Sequence, residues 1–412
     1  MTTAPEHDAV IVGAGLAGLA AARTLQAAGR SVVVVEASNG VGGRVRTDHV
    51  DGFLLDRGFQ VLLTAYPEAH RQLDLAALNL QAFDPGALVW RNGKGSVVGD
   101  PFRAPSTAIA TALAPIGTLG DKLRIAALRR RVRRPHPAAL LGGADTSTLD
   151  ELRARGFSDT IIDRFFRPLV GGIQLDPSLA TSRRMFDTIF RSLADGDSAV
   201  PSAGMGAIPD QLAAGLTHDT VRLNSAVVAV EGASVRLADG SLVTGRTVVV
   251  ATEAPTASKL LGLRHVASRS VGCVYFAADR APISDKLVVL DGTSRGPVLN
   301  VAILSNVAPT YAPAGQHLIA AAMPAVVDGD LPEMARQQLR GWWGPQVDGW
   351  RHLATYRIAH GQPDQAPPFS PKRRVDLGGG HFVCGDHRDT GSIQGALFSG
   401  RRCGEAVAAA TA

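Results

Sequence analysis

The spacing of apolar positions changes several times along the chain, and each change predicts a different element. Ala9 to Val12 and Val32 to Val35 are short unbroken apolar runs, with an alanine-rich stretch at helical spacing between them. Valine runs of this length suit strands covered on both faces, so residues 9–36 predict strand, helix, strand: a βαβ unit. Residues 65–90 read as helix and then extended chain, and the Asn92-Gly93 pair after Trp90 predicts a hairpin turn. Between about 100 and 200, prolines and helical patterns replace the valine-rich strands. There Ile161, Ile162, Phe165 and Phe166 share one helical face, and Pro168 is expected to end or kink that helix. Residues 219–252 return to strand patterns, with a hairpin turn at Ala238 to Ser241. Longer alternating strands follow at Val271 to Ala277 and Leu299 to Leu304, then an amphipathic helix over 331–343. The chain closes with a strand, Phe382 to Asp386, and a helix opening after Ser392.

These elements define an α/β protein with two domains. A Rossmann-like dinucleotide-binding domain is expected to be discontinuous, assembled from residues 1–90, 201–262 and 376–412. A second domain, from 91–200 and 263–375, is expected to hold a mixed β-sheet as the floor of a substrate cavity and a helical insertion covering it.

The βαβ unit carries the first chemistry. In Gly13-Ala14-Gly15-Leu16-Ala17-Gly18, Gly13 makes the tight turn, Gly15 lets backbone approach a pyrophosphate, and Gly18 lets helix and strand pack closely. The helix N-terminus offers unpaired N–H groups and a positive dipole end to phosphates. Glu36 ends the second strand, where a carboxylate accepts both hydroxyls of an adenosine ribose and repels a 2′-phosphate. Gly42, Gly43 and Arg44 follow as a second grip on a long diphosphate ligand.

In combination, the glycine turn, Glu36 and Gly42-Gly43-Arg44 resemble the FAD-binding N-terminus of the flavin amine oxidase and phytoene desaturase superfamily, which also contains protoporphyrinogen oxidase. The residues Pro168 to Pro177, Phe186 and Pro201 to Gly206 resemble its desaturase side. The resemblance implies non-covalent FAD. It places Asp51 to Leu63, read as a short hairpin with Gly58 at a tight spot, beside the flavin, with Gly58, Phe59 and Gln60 facing the isoalloxazine. It also implies that the Val227 backbone meets the adenine. Phe382 to Asp386 and the helix opening at Ser392, Ile393 and Gln394 resemble the last FAD motif of carotene desaturases, with Asp386 accepting from a hydroxyl and the helix N–H groups aimed at the flavin O2 region. The candidate cofactor-binding residues are therefore Gly13, Ala14, Gly15, Leu16, Ala17, Gly18, Glu36, Ala37, Gly42, Gly43, Arg44, Gly58, Phe59, Gln60, Val227, Gly385, Asp386, Ser392, Ile393, Gln394 and Ala396.

Departures from the family bear on the substrate. The strand Ser270 to Asp279 lacks the lysine that amine oxidases keep near the flavin, and Ser392 stands where they place a cage tyrosine. The expected activity is flavin-centred removal of hydride, a dehydrogenation or desaturation, from an apolar isoprenoid-like or polycyclic small molecule. With a single GxGxxG in context there is no separate nicotinamide site, so O2 or a quinone takes the electrons. Phe59, Gln60, Tyr275 and Tyr356 are candidates near the ring, and Met205 and Asn300 join them as cavity walls. The alternatives are a flavin amine or amino-acid oxidase, and an FAD-stabilised non-catalytic binding protein.

Composition narrows this only slightly. The 412 residues are 45% hydrophobic and 19% charged, ordinary for a folded enzyme. A net charge of +5 with no nucleic-acid motif gives no reason to expect nucleic acid. Cys273, Cys384 and Cys403 are far apart and read as buried thiols of a reducing compartment; the histidines show no metal spacing, so no metal is expected. The first strand begins too near Met1 for a signal peptide, and no apolar run is long enough to span a bilayer. A cytoplasmic protein is expected. Residues 121–134, Asp-Lys-Leu-Arg-Ile-Ala-Ala-Leu-Arg-Arg-Arg-Val-Arg-Arg, read as a basic amphipathic helix that either touches an anionic membrane peripherally or is simply solvated.

Overall fold

The computed structural model describes residues 6–412; residues 1–5, at the head of the first nucleotide-binding segment, lie outside the described residues. An eight-stranded sheet has a parallel centre drawn from three distant parts of the chain. His7–Val12 lies between Val32–Val35 and Leu242–Val250, with Val10 opposite both Val33 and Val248. His381–Val383 adds to the far side of Leu242–Val250, Val249 opposite Phe382. All four residues of Val32–Val35 are buried, which is why they read as valine without alternation. On one face the helices Leu16–Ala27 and Ile393–Ala410 cross closely. A Cβ on Gly400 would lie 2.2 Å from the Ala17 carbonyl oxygen, so the crossing depends on that glycine.

A seven-stranded sheet stands opposite. Its order is Arg351–Pro363, Ser268–Ala278, His317–Pro324, Asn300–Ile303, Val288–Asp291, Gly86–Arg91 and Lys94–Gly99. Val288–Asp291 pairs with Gly86–Arg91 in parallel and the other neighbours are antiparallel, so the sheet is mixed. Gly86–Arg91 is hydrogen bonded here, although the sequence reading put residues up to 90 with the nucleotide-binding segments. Its short apolar run says strand but not which sheet. One face packs Val274, Phe276, Val301 and Ile319 on the helix Leu331–Trp343. The other faces a cavity.

The helical insertion roofs that cavity. Asp159–Ile161 is one α-helical turn and the chain continues as a π-helix, Ile162–Gly171, with Pro168 inside it. The helix does not end at Pro168, because the wider turn tolerates a missing N–H that an α-helical ladder would not. The hairpin read over 51–63 is also shorter: Thr47–Val50 pairs with Phe53–Asp56 around Asp51 and Gly52, both at positive φ. Gly58 lies beyond it at φ +95°.

The basic helix Leu119–Arg133 divides its arginines: Arg124, Arg130 and Arg133 are exposed, while Arg129 and Arg131 are half-buried. Arg129 reaches Asp100 at 3.0 Å, Arg131 bonds Asp187, and Arg133 bonds Asp195 at 2.5 Å. Asp187 and Asp195 belong to the helix Arg183–Asp195, so these arginines join two helices of the roof. Sequence spacing shows a cation's helical face but not a carboxylate from a distant helix.

Candidate functional site

A single cavity of about 990 Å³ runs from the glycine turn, between the two sheets, to the helical insertion. At the nucleotide end its wall is backbone. Gly13 has φ +103°, and Gly15, at the N-terminus of Leu16–Ala27, would carry a Cβ with nothing within 4 Å, so it faces open space. No side chain caps this helix, leaving its first N–H groups directed at the cavity. Gly18 acts from behind: its Cβ would fall 1.9 Å from the Gly13 carbonyl oxygen. Gly42 and Gly43, at φ +106° and +59°, bring the next loop against the turn, where the Gly42 N–H donates to the Ala14 carbonyl at 2.8 Å.

Glu36 is fixed by protein bonds on both oxygens. Oε2 accepts from the Ala14 N–H at 2.7 Å, and Oε1 accepts from the Ser38 N–H and hydroxyl. Oε2 keeps a second lone pair for a ligand, whereas both on Oε1 are taken by Ser38. Ala37 and Val227 line the same end. At the other side, Arg44 pairs with Asp386 at 2.8 Å and donates to the Gly361 carbonyl. Gly385, Asp386, Ser392, Ile393 and Ala396 line the wall there, and the Ser392 hydroxyl caps the last helix by accepting from the Gly395 N–H. His387 lies behind, its ring packed against Gly385; burial pulls its pKa down to about 4 and keeps it neutral.

Past this end the lining turns apolar. Gly58, Phe59 and Gln60 are in the wall, with Phe59 packed edge-on against Phe83. The Gln60 amide donates to the Arg44 and Arg57 carbonyls. Leu63, Val98, Phe165, Leu169, Met185, Ile189 and Phe190 continue the wall, and Asn300 lies on the sheet face.

Three expected wall residues are elsewhere. Tyr275 is fully buried and its hydroxyl donates to the Asp56 carbonyl; Tyr356 donates to Asp48; Met205 is core beside Asp56. Tyr275 shares the sheet face of Val271 but lies four residues further along the strand, where the hairpin ending at Asp56 covers it, a packing that the sequence does not show. The Gln394 side chain also points away, accepting from the Glu68 N–H, so only its backbone is at the helix end. Gly18 and Ala14 support the turn without lining the cavity. Sequence reading missed Tyr66, a buried tyrosine in the wall whose pKa is raised by burial. Its neighbours in sequence carry no motif.

A βαβ glycine turn and a distant C-terminal helix meeting on one cavity, with a second sheet beneath an apolar extension, define a two-domain flavoprotein. The chain belongs to the flavin-containing amine oxidoreductase family, whose model matches residues 16–408. That makes it a member of a family of FAD-dependent oxidoreductases. It is 60% identical over 58 residues to putrescine oxidase of Kocuria rosea, covering 14% of this chain and 12% of that one. It is 24% identical over 256 residues to protoporphyrinogen oxidase 2 of Arabidopsis thaliana, covering 53% and 49%. The match thus spans about half, or far less, of these curated relatives. Among solved structures, an Exiguobacterium protein assigned as a protoporphyrinogen oxidase superposes with a TM-score of 0.74 at 18% identity, over 99% of this chain and 100% of that one. At that identity the likeness shows the fold alone.

Proposed function

We propose that this protein dehydrogenates an apolar, polycyclic small molecule by hydride removal to FAD, with O2 or a quinone as the final acceptor. The observation that carries the reading is the apolar character of the cavity beyond Phe59 and Gln60. Charged residues line it at Glu36, Arg44, Glu253 and Asp386 toward one end, at Asp100, Arg103, Lys122 and Arg129 toward the other, and at Arg57 and Asp84 beside Gly58 and Phe83. The rest of the wall there is mainly aliphatic and aromatic, from Leu63 and Val98 to Phe165, Leu169, Met185, Ile189 and Phe190. The aromatic pair of an amine cage is missing from the lining, because Tyr275 and Tyr356 are engaged with Asp56 and Asp48, and among the described residues Lys122, beside exposed leucines at the mouth, is the only lysine in the lining.

The residues at the nucleotide end fit FAD, because glycine backbone and an uncapped helix end leave space where any side chain would intrude. The turn at Gly13 to Gly18 would hold the pyrophosphate, Glu36 the ribose and Val227 the adenine. Arg44, Asp386 and the helix opening at Ser392 would hold the flavin end, where N–H groups stabilise negative charge. Among the described residues no cysteine or histidine lines the cavity, which supports a non-covalent hold. When bound, FAD supplies the two-electron acceptor.

The mouth supports a lipid source for the substrate. Phe102, Ile109, Leu113, Leu119 and Leu123 are each 65–78% exposed, and Phe102, Leu119 and Leu123 also line the cavity. A contiguous exposed apolar patch marks a binding surface, and basic side chains beside it suit anionic headgroups. Membrane contact is therefore assigned to this apolar collar rather than to the arginines of the same helix. Among the described residues no helix is long and apolar enough to cross a membrane.

Anaerobic mixing of the FAD-loaded protein with a porphyrinogen and, separately, with benzylamine tests the activity. Flavin bleaching by the porphyrinogen alone is expected; bleaching by the amine alone would overturn the reading in favour of amine oxidation.

A further inference from the structure

The short helix Pro67–Gln72 is held against the opening of the last helix, Ile393–Ala410. The Glu68 N–H donates to the Gln394 side-chain carbonyl at 2.9 Å, and Arg401 pairs with Glu68 at 2.6 Å. These bonds set Tyr66, the residue before Pro67, in the cavity wall beside Ser392. Its ring belongs to the core of the nucleotide side, and the residue is only 7% exposed. Its hydroxyl is different. Among the described residues it makes no hydrogen bond to the protein, yet it is not sealed in as an unpartnered buried atom, so it opens on the cavity. Ser392 is already engaged: its hydroxyl accepts from the Gly395 N–H at 3.0 Å and lies 3.1 Å from the Thr390 hydroxyl. Burial raises the Tyr66 pKa, so the phenol keeps its proton and is a donor. A packed aromatic ring with a free donor at its tip leaves that donor to the ligand of the cavity.

We propose that the Tyr66 hydroxyl donates a hydrogen bond to the pyrimidine edge of the flavin, at O2 and N1, and so stabilises the reduced cofactor. This rests on the placement of the flavin end at Ser392 argued above. Hydride reaches the flavin at N5 with two electrons, and the negative charge it brings settles over N1 and O2. The helix opening at Ile393 directs backbone N–H groups there. Tyr66 comes to the same place from another element, the turn between Leu63 and Pro67, where its own N–H donates to the Leu63 carbonyl at 3.1 Å. Donors from two separate elements thus meet at one edge. Because both are fixed before the charge arrives, they favour the reduced form with little reorganisation. Leu63, Ile393 and Ala396 share this part of the wall, and apolar surroundings strengthen a hydrogen bond to a charged acceptor. Tyr66 would set how readily the flavin takes electrons and would take no proton from the substrate.

Tyr66→Phe in the FAD-loaded protein tests this without any substrate. The change keeps the ring in the core and removes a hydroxyl that no protein group uses, so FAD content and melting temperature should match wild type. The midpoint potential, read by anaerobic dye-coupled titration in alkaline buffer, should fall by about 30 mV, a tenfold loss in the two-electron reduction equilibrium. That is the size of one hydrogen bond to a charged group. Sulfite is the second probe: it adds at N5 and drives negative charge onto N1 and O2, so its Kd should rise about tenfold in the variant. A potential and a sulfite Kd equal to those of wild type would overturn the contact. A raised substrate KM with the potential unchanged would overturn it too and give the hydroxyl to the substrate. Loss of FAD from the variant would also count against it, because the oxidised ring carries no negative charge at that edge for the hydroxyl to serve. Neither probe uses a substrate, so failure to dehydrogenate any apolar compound would overturn the dehydrogenase reading and leave the Tyr66 result standing.

Discussion

The two ends of the cavity are walled by opposite means. At the nucleotide end the wall is backbone: Gly13, Gly15, Gly42 and Gly43 expose N–H and Cα surface, and side chains such as Glu36 are themselves pinned by backbone donors. At the substrate end the wall is side chain, from Leu63 through Phe190, on a regular sheet and helices. A backbone wall demands glycine at fixed positions and fits a ligand that never changes. A side-chain wall allows any aliphatic residue of suitable volume, so its specificity falls on the few positions that are not aliphatic.

The largest expected effect comes from adding one carbon where backbone approaches backbone. Gly18→Ala puts a Cβ 1.9 Å from the Gly13 carbonyl oxygen, with no flexible side chain to move aside. The turn must shift, at a cost of about 3 kcal/mol or more. The purified variant should be nearly colourless and melt well below wild type. Leu169→Met at the substrate end, a volume-conserving change, should cost less than about 1.5 kcal/mol and leave FAD content alone. If both variants keep wild-type flavin, the contrast between the two walls fails.

Glu36→Arg is expected next. It removes the acceptor for the Ala14 N–H and places a cation at the ribose position, and a charge-assisted hydrogen bond alone is worth roughly 1.5 to 3 kcal/mol. The FAD dissociation constant should rise by about tenfold to a hundredfold. An unchanged constant by calorimetry removes Glu36 from the cofactor site.

This contrast also explains what could be read in advance. The nucleotide end was legible because backbone chemistry needs glycines at fixed spacing, and Gly13 to Gly18, Glu36, Gly42 to Arg44 and Asp386 all fall around one cavity. The substrate end was not, because an aliphatic wall has no spacing rule. Tyr275 and Tyr356 looked like cavity residues by position in strand, yet their hydroxyls serve Asp56 and Asp48. Asn300 was named as wall, but its lack of a partner emerges only when Gly172 is folded over it. Arg129, Arg131 and Arg133 likewise showed their charge and hid their carboxylates.

Those arginines and the apolar collar can be separated by paired variants. Arg131→Ser leaves Asp187, itself buried, with Arg183 at 3.4 Å as the remaining partner, and should destabilise the protein by about 2 kcal/mol without altering liposome binding. Phe102, Leu113 and Leu123 changed together to Ser should stay within about 0.5 kcal/mol per site, because they are exposed. The triple variant should lose co-sedimentation with anionic vesicles. The reverse assignment, binding lost with Arg131 and kept without the collar, would return membrane contact to the charged face.

The smallest effect is expected where the two regions meet. Asp56 ends the hairpin of the nucleotide side and is fully buried. Its Oδ1 accepts from Thr47 and the Met205 N–H, and its Oδ2 accepts from the Tyr311 hydroxyl at 2.9 Å. Burial raises its pKa to about 6 against those bonds, which act to lower it. A carboxyl whose pKa is higher folded than unfolded contributes stability that is fully present below its unfolded value, near 3.8, and is lost as pH rises through about 6. The wild type should therefore lose about 1 kcal/mol between pH 5 and pH 7 relative to Asp56→Asn, which has no proton to give up. Urea unfolding of both proteins at the two pH values isolates this contribution, since every other titrating group is common to the pair. Parallel pH profiles would mean that Asp56 is equally easy to ionise folded and unfolded, and that the junction between the two walls is wetter than its burial indicates.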